Sequence, residues 1–188
     1  MKITKDWEKL TQIANGDYVL EGDLICEDKL EVDLDDRFVV KGKIEVKKSI
    51  EVRLGIKAGL GINAGEGIKA GEGIKAGEGI KAGWGIKAGL GINAGEGINA
   101  GEGIKAGEGI KAGWGINAKT FIQSKKRIFA GISVYSTSEN CDKKIECAEL
   151  REGEICYGDL IITKPEVKKM TVAEVCKALG YDVEIVNE

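Results

Sequence analysis

From Ile56 to Ala118 the chain repeats one six-residue phrase, Ile-Lys/Asn-Ala-Gly-X-Gly, in which X is Leu, Glu or Trp. Isoleucine returns at every sixth position from Ile56 to Ile116, eleven times without a gap, and alanine follows each two residues later. A fixed short period is the mark of a repeat architecture. In a strand, side chains alternate between faces, so each Ile and its Ala point one way and the intervening Lys or Asn the other. The three residues that follow, such as Gly71-Glu72-Gly73, read as a corner at which glycine supplies positive φ and close backbone approach. A helix is excluded, since two glycines per hexad would each cost about 1 kcal/mol against alanine. Collagen is excluded too, because the glycine spacing alternates two and four and the whole chain has one proline. Glycine-rich repeats that stay disordered lack an aliphatic residue at fixed phase. The expected fold is therefore all-β: a single-stranded parallel β-helix, or β-solenoid, in which Ile and Ala on every side favour three hexads per coil, a triangular prism, over the flattened coil that two would make.

The flanks carry the same phrase in degraded form. Tyr18/Leu20, Leu24/Cys26 and Leu30/Val32 keep the spacing, a two-residue insertion around Asp33–Arg37 shifts it, and Phe38/Val40, Ile44/Val46 and Ile50/Val52 resume in phase with Ile56. The cluster Asp33, Asp35, Asp36 at the insertion reads as a solvated loop, since it lacks the glycine-bearing, glutamate-terminated pattern of a calcium loop. After Ala118 come Ile122/Ser124, Ile128/Ala130 and Ile132/Val134, a polar loop over 136–144, and further strands at Ile145/Cys147, Ile155/Tyr157 and Leu160/Ile162. Two helices are expected as caps over the open ends of the solenoid. Residues 4–15 place Trp7, Leu10, Ile13 and Ala14 on one face behind Thr4. Beyond Pro165, Thr171 and Glu174 form a capping box ahead of Val172, Val175, Cys176 and Leu179, with Gly180 as the stop. A strand over Tyr181–Val186 follows. The organisation expected is thus a capping helix at 1–16, the solenoid at 17–134 and C-terminal strands with a capping helix at 135–188.

A longer period overlies the first. Residues 60–89 and 90–119 are nearly identical blocks, with Trp at 84 and 114. Each block is five hexads, not a whole number of three-sided coils, so Trp84 and Trp114 should lie on different edges. A duplication indifferent to face reads as the lengthening of a rod.

Residue types restrict the chemistry. The chain contains no histidine. Left-handed hexapeptide-repeat acyltransferases use a histidine base and the related carbonic anhydrases bind zinc through three histidines, so neither chemistry transfers here. The five cysteines (Cys26, Cys141, Cys147, Cys156, Cys176) contain no C-x2-C pair for a zinc site. Their odd number, with no signal-type apolar run at the N-terminus, points to free thiols in a reducing cytoplasm. No stretch approaches the ~18 apolar residues of a membrane span. The formal charge of −3 divides as −3, +1 and −1 over residues 1–55, 56–118 and 119–188, so no segment is basic enough to be expected on nucleic acid. No carboxylate pair stands out from the repeat, and neither a cofactor nor catalysis is expected.

Two resemblances bear on function. The segments Phe38-Val-Val, Ile44-Glu-Val and Ile50-Glu-Val, separated by glycines, resemble bactofilins, bacterial cytoskeletal proteins that stack end to end. That resemblance implies a polymer-forming β-helix over residues 18–134. The helix-then-strand reading of the C-terminal tail resembles the endings of small proteins of Firmicutes and their phages. The expectation adopted is a non-enzymatic interaction protein, with a polymer as the alternative and homo-oligomerisation open. It would bind a protein partner through Leu60, Trp84, Leu90 and Trp114 on its edges and a row formed by Lys69, Lys87 and Lys105. A concrete version is a phage-encoded inhibitor that occupies a host defence protein.

Overall fold

The computed structural model describes residues 1–132 and 143–163, together with Cys176. Each hexad is a three-residue strand followed by a corner, and every repeat strand pairs in parallel with the strand eighteen residues along: Ile62 lies beside Ile80, Ile80 beside Ile98, and Ile98 beside Ile116. Three hexads therefore complete one coil. The repeat isoleucines are at most 1% exposed and the alanines at most 3%, so the interior is a column of identical Ile-Ala layers. Burying an Ile side chain contributes about 1.5–3 kcal/mol, and the layers add along the column as they do in other one-dimensional repeats.

Three flat faces result. The Tyr18 face stacks Tyr18–Leu20, Phe38–Val40, Ile56–Ala58, Ile74–Ala76, Ile92–Ala94 and Ile110–Ala112. The Leu24 face has eight strands, running from Leu24–Cys26 and Ile44–Val46 through Ile116–Ala118 to Lys144–Cys147 and Asp159–Ile162. The Leu30 face stacks Leu30–Val32, Ile50–Val52, Ile68–Ala70, Ile86–Ala88 and Ile104–Ala106. A nine-residue strand, Phe121–Phe129, follows the rim across a corner. It extends the Leu30 face at Ile122 and the Tyr18 face at Ile128, joining the two faces into one sheet. Here Lys125-Lys126-Arg127 replaces the usual Gly-X-Gly, and the chain stays extended through the corner. Ser124 takes the alanine position, fully buried, with its hydroxyl donating to the Glu108 carbonyl. Strand Glu149–Tyr157 pairs along its length, with register shifts that keep Ile155 beside Ile128.

The corner glycines act differently from the sequence-based expectation. None of the repeat glycines has positive φ; the positive values fall at Gly16, Gly22, Gly131, Gly153 and Gly158. What the repeat needs is space. A Cβ on Gly77 would lie 2.0 Å from the Gly59 carbonyl oxygen of the preceding coil, and the same overlap recurs at Gly83 and Gly95. The second glycine of each hexad is less confined: at Gly79 the nearest atom, the Gly97 oxygen, is 3.3 Å away. Close coil-to-coil approach lets the backbone ladder continue through the corners. The Gly77 N–H donates to Ala58 (3.2 Å) and the Glu78 N–H to Leu60 (3.4 Å).

The insertion makes the first coil twenty residues long, from Tyr18 to its partner Phe38. Leu34, one of the inserted residues, is 2% exposed and fills the core. Its acidic neighbours are held in place: the Tyr18 hydroxyl donates to Asp35 at 2.6 Å, and Arg53 reaches Asp33 at 3.5 Å. The Tyr18 hydrogen bond keeps the Asp35 carboxyl below the usual carboxylate range.

The expected N-terminal helix is not formed, and residues 1–132 and 143–163 contain no helix. Lys2–Ile3 pairs in parallel with Leu30–Val32, and Thr11–Gln12 pairs antiparallel with Tyr18–Leu20. Between them the Trp7 N–H donates to Thr4 and the Leu10 N–H to Trp7 as isolated turns. A helix of about 12 residues is marginal in water, whereas the unpaired edge of the first coil offers backbone partners outright. Trp7 and Leu10 still pack against the core, while Ile13 is exposed, so the segment caps the rod without being helical. The helix and strand expected beyond Pro165 lie outside the described residues, Cys176 apart.

Candidate interaction surfaces

The outward residues are set by the same register that builds the core. On the Leu30 face, Lys69 lies beside Lys87 and Lys87 beside Lys105, the row expected from the sequence. Parallel strands are about 4.8 Å apart, so the ammoniums are crowded and their neutralisation decides what the row can do. Glu51, next below, accepts from Lys29 at 2.6 Å and from Lys69 at 2.9 Å, and these two hydrogen bonds hold its carboxyl down at about 2. Among the described residues, Lys87 and Lys105 have no carboxylate within ion-pair distance. The row is therefore satisfied at its lower end and open above.

The large apolar residues expected at corners are at corners, and they are exposed: Leu60 43%, Trp84 54%, Leu90 44% and Trp114 46%. They do not form one patch. The backbone ladder puts Leu60 and Trp114 on the edge between the Tyr18 and Leu24 faces, through Glu78 and Glu96. Trp84 stands on the edge between the Leu24 and Leu30 faces, through Glu66 and Glu102, and Leu90 on the third edge, between Glu72 and Glu108.

The structure brings together Trp84 and the lysine row. They line one trough of about 410 Å³ on the Leu30 face, with Glu66 and Glu102 at the rim and Phe121 at its upper end. Leu90 and Trp114 face the troughs of the other two sides. Phe121 is a residue that the periodicity does not single out. It occupies the place where Gly103 sits one coil earlier, and its ring packs against that glycine, with the Arg151 guanidinium 3.8 Å above it. An aromatic residue in a glycine position was the signal that could have revealed it.

Among the described residues there is no group of three or more His, Cys, Asp or Glu placed to hold a metal ion. The buried Cys147 thiol is pushed up by burial, away from the thiolate that nucleophilic chemistry needs. Among the described residues no helix is long and apolar enough to cross a membrane. No family model, curated protein or solved structure matches the chain.

Proposed function

We propose that this protein works by contact and not by catalysis, engaging a protein partner through the trough that Trp84 shares with Lys87 and Lys105. One observation carries the reading. A half-exposed indole stands beside two ammoniums that lack carboxylate partners, on a flat face held rigid by the core. Trp is among the residues that most often anchor an interface hot spot, and a rigid surface loses little entropy when it binds. A partner presenting a carboxylate between the two lysines and an apolar contact to the indole would satisfy both. The finer version is a phage-encoded inhibitor seated on a host defence protein; the C-terminal resemblance supports it, and rescue of phage plating across a panel of defence systems tests it.

The direct test is capture of a defined partner by the wild-type chain, by Trp84→Ala with Lys87→Asn and Lys105→Asn, and by Trp114→Ala. The Leu30-face variant should lose at least about tenfold in affinity, and Trp114→Ala should retain it. Equal retention by both would discard the trough as the site. The polymer reading is disfavoured by the N-terminal end, where Ile3, Trp7 and Leu10 cover the surface on which a second rod would have to stack.

A further inference from the structure

The three faces differ in charge, and one stands apart. The trough on the Leu24 face is lined by three lysines against four glutamates, and that on the Leu30 face by four lysines against three glutamates. The trough on the Tyr18 face, about 1080 Å³, gathers seven Lys and Arg side chains against three glutamates. Part of that excess is neutralised locally: Lys126 pairs with Glu108 at 2.6 Å, Arg127 with Glu154 at 3.9 Å, and Arg37 with Asp17 at 3.6 Å. Lys57, Lys75, Lys111 and Lys125 have no carboxylate within ion-pair distance among the described residues. Residues far apart in sequence are placed in one line by the stacking of Lys57 on Lys75, Lys75 on Asn93 and Asn93 on Lys111.

We propose that the Tyr18-face trough docks an extended acidic segment of a protein, held by Lys57, Lys75, Lys111 and Lys125. The line from Arg37 to Phe129 crosses five inter-strand steps, about 24 Å, which is the length of about seven residues of extended chain. Leu90 on one rim and the half-buried Phe129 at the top supply apolar contact for a hydrophobic residue within such a segment. A nucleic acid fits less well. Single strands are held by successive aromatic platforms as well as by charge, and this trough has one ring and three carboxylates, Glu72, Glu108 and Glu154. This site is separate from the Trp84 trough, so either can fail without the other.

The repeat itself supplies the test variant. Asn occupies the outward strand position at 63, 93, 99 and 117, so Lys57→Asn, Lys75→Asn and Lys111→Asn together introduce a residue the coil already accepts. A labelled peptide of Asp and Glu with one Leu, followed by anisotropy at about 100 mM salt, should bind the wild-type chain and lose about tenfold or more with this triple variant. Lys81→Asn on the Leu24 face, whose trough carries more glutamate than lysine, should leave the affinity unchanged. Zero-length carbodiimide coupling of the same peptide to the unmodified protein should map to Lys57, Lys75, Lys111 and Lys125, a readout independent of any variant's folding. Equal loss from the triple variant and from Lys81→Asn, coupling spread over all surface lysines, or absence of peptide binding would overturn the proposal. Tighter binding of an oligothymidylate of matched charge, sensitive to the same three lysines, would overturn it in favour of a nucleic-acid interface.

Discussion

At the scale of single residues, the two glycines of each hexad look equivalent in sequence and are not. Gly77→Ala would force a methyl onto the Gly59 carbonyl, which is fixed by the ladder and has nowhere to go. We expect a loss of about 3 kcal/mol. Gly79→Ala meets its nearest atom at 3.3 Å, and the reduced freedom of the unfolded chain offsets the crowding, so stability should change by less than about 1 kcal/mol. Urea midpoints at constant slope distinguish the two. A second expectation concerns Glu51, whose carboxyl is held down at about 2 by hydrogen bonds from Lys29 and Lys69. A lowered carboxylate pKa stabilises the fold above the unfolded value of about 4.3 and ceases to do so as the pH falls through the folded value. Glu51→Gln should therefore be less stable than wild type at pH 7, by less than about 1 kcal/mol because the group is half exposed. The difference should vanish as the pH falls from about 4.5 to about 2.

At the scale of elements, what could be read from the sequence was what the core dictates. Ile and Ala at a fixed phase specify strands and inward faces, because a helix or a random chain would leave eleven isoleucines without an interior, and Ile with Ala on every side fills a three-hexad coil better than a flattened coil of two. That phase also placed Lys69, Lys87 and Lys105 in a row and Trp84 and Trp114 on separate edges. Contacts decided by a neighbouring coil were not readable. Thr4–Asn15 has the spacing of an amphipathic helix, but the free edge at Leu30–Val32 recruits Lys2–Ile3 as a strand, and nothing local announces that pairing. The fusion of Ile122/Ser124 and Ile128/Ala130 into one strand came from the loss of glycine at a corner. Which lysines find carboxylates depends on residues eighteen or more positions away, as with Lys69 and Glu51. One expectation belongs to this scale. Deleting residues 56–73, a whole coil, should shorten the rod and leave every remaining row on its face, the Trp84 trough included. Deleting residues 92–97 alone should give a chain of similar melting temperature, because the core is unchanged, while everything beyond the cut moves round by one face and carries Lys105 away from Trp84 and Lys87. Thermal melting compared with binding of the Trp84 partner checks both halves of that statement.

For the whole molecule, the first and last described coils differ. The N-terminal end is closed by Ile3, Trp7 and Leu10, whereas the last described coil carries Tyr157, Leu160 and Ile162 at its exposed surface. Removal of residues 1–16 should uncover Tyr18–Leu20 and Leu30–Val32 as free edges and turn a species of fixed mass into one that grows with concentration, measured by light scattering. The intact chain should show no growth through that end. The uniform interior has a further consequence, for inheritance. Any hexad can be exchanged for any other without disturbing a layer, so unequal crossing-over between two copies of the same six codons keeps both the reading frame and the fold. Gain or loss of one unit turns everything downstream by a third of a revolution, and gain or loss of three returns it to where it was. A lineage carrying such a gene could vary the length of its rod in small steps, and with it the combination of faces it presents, while selection on the core stayed nearly silent.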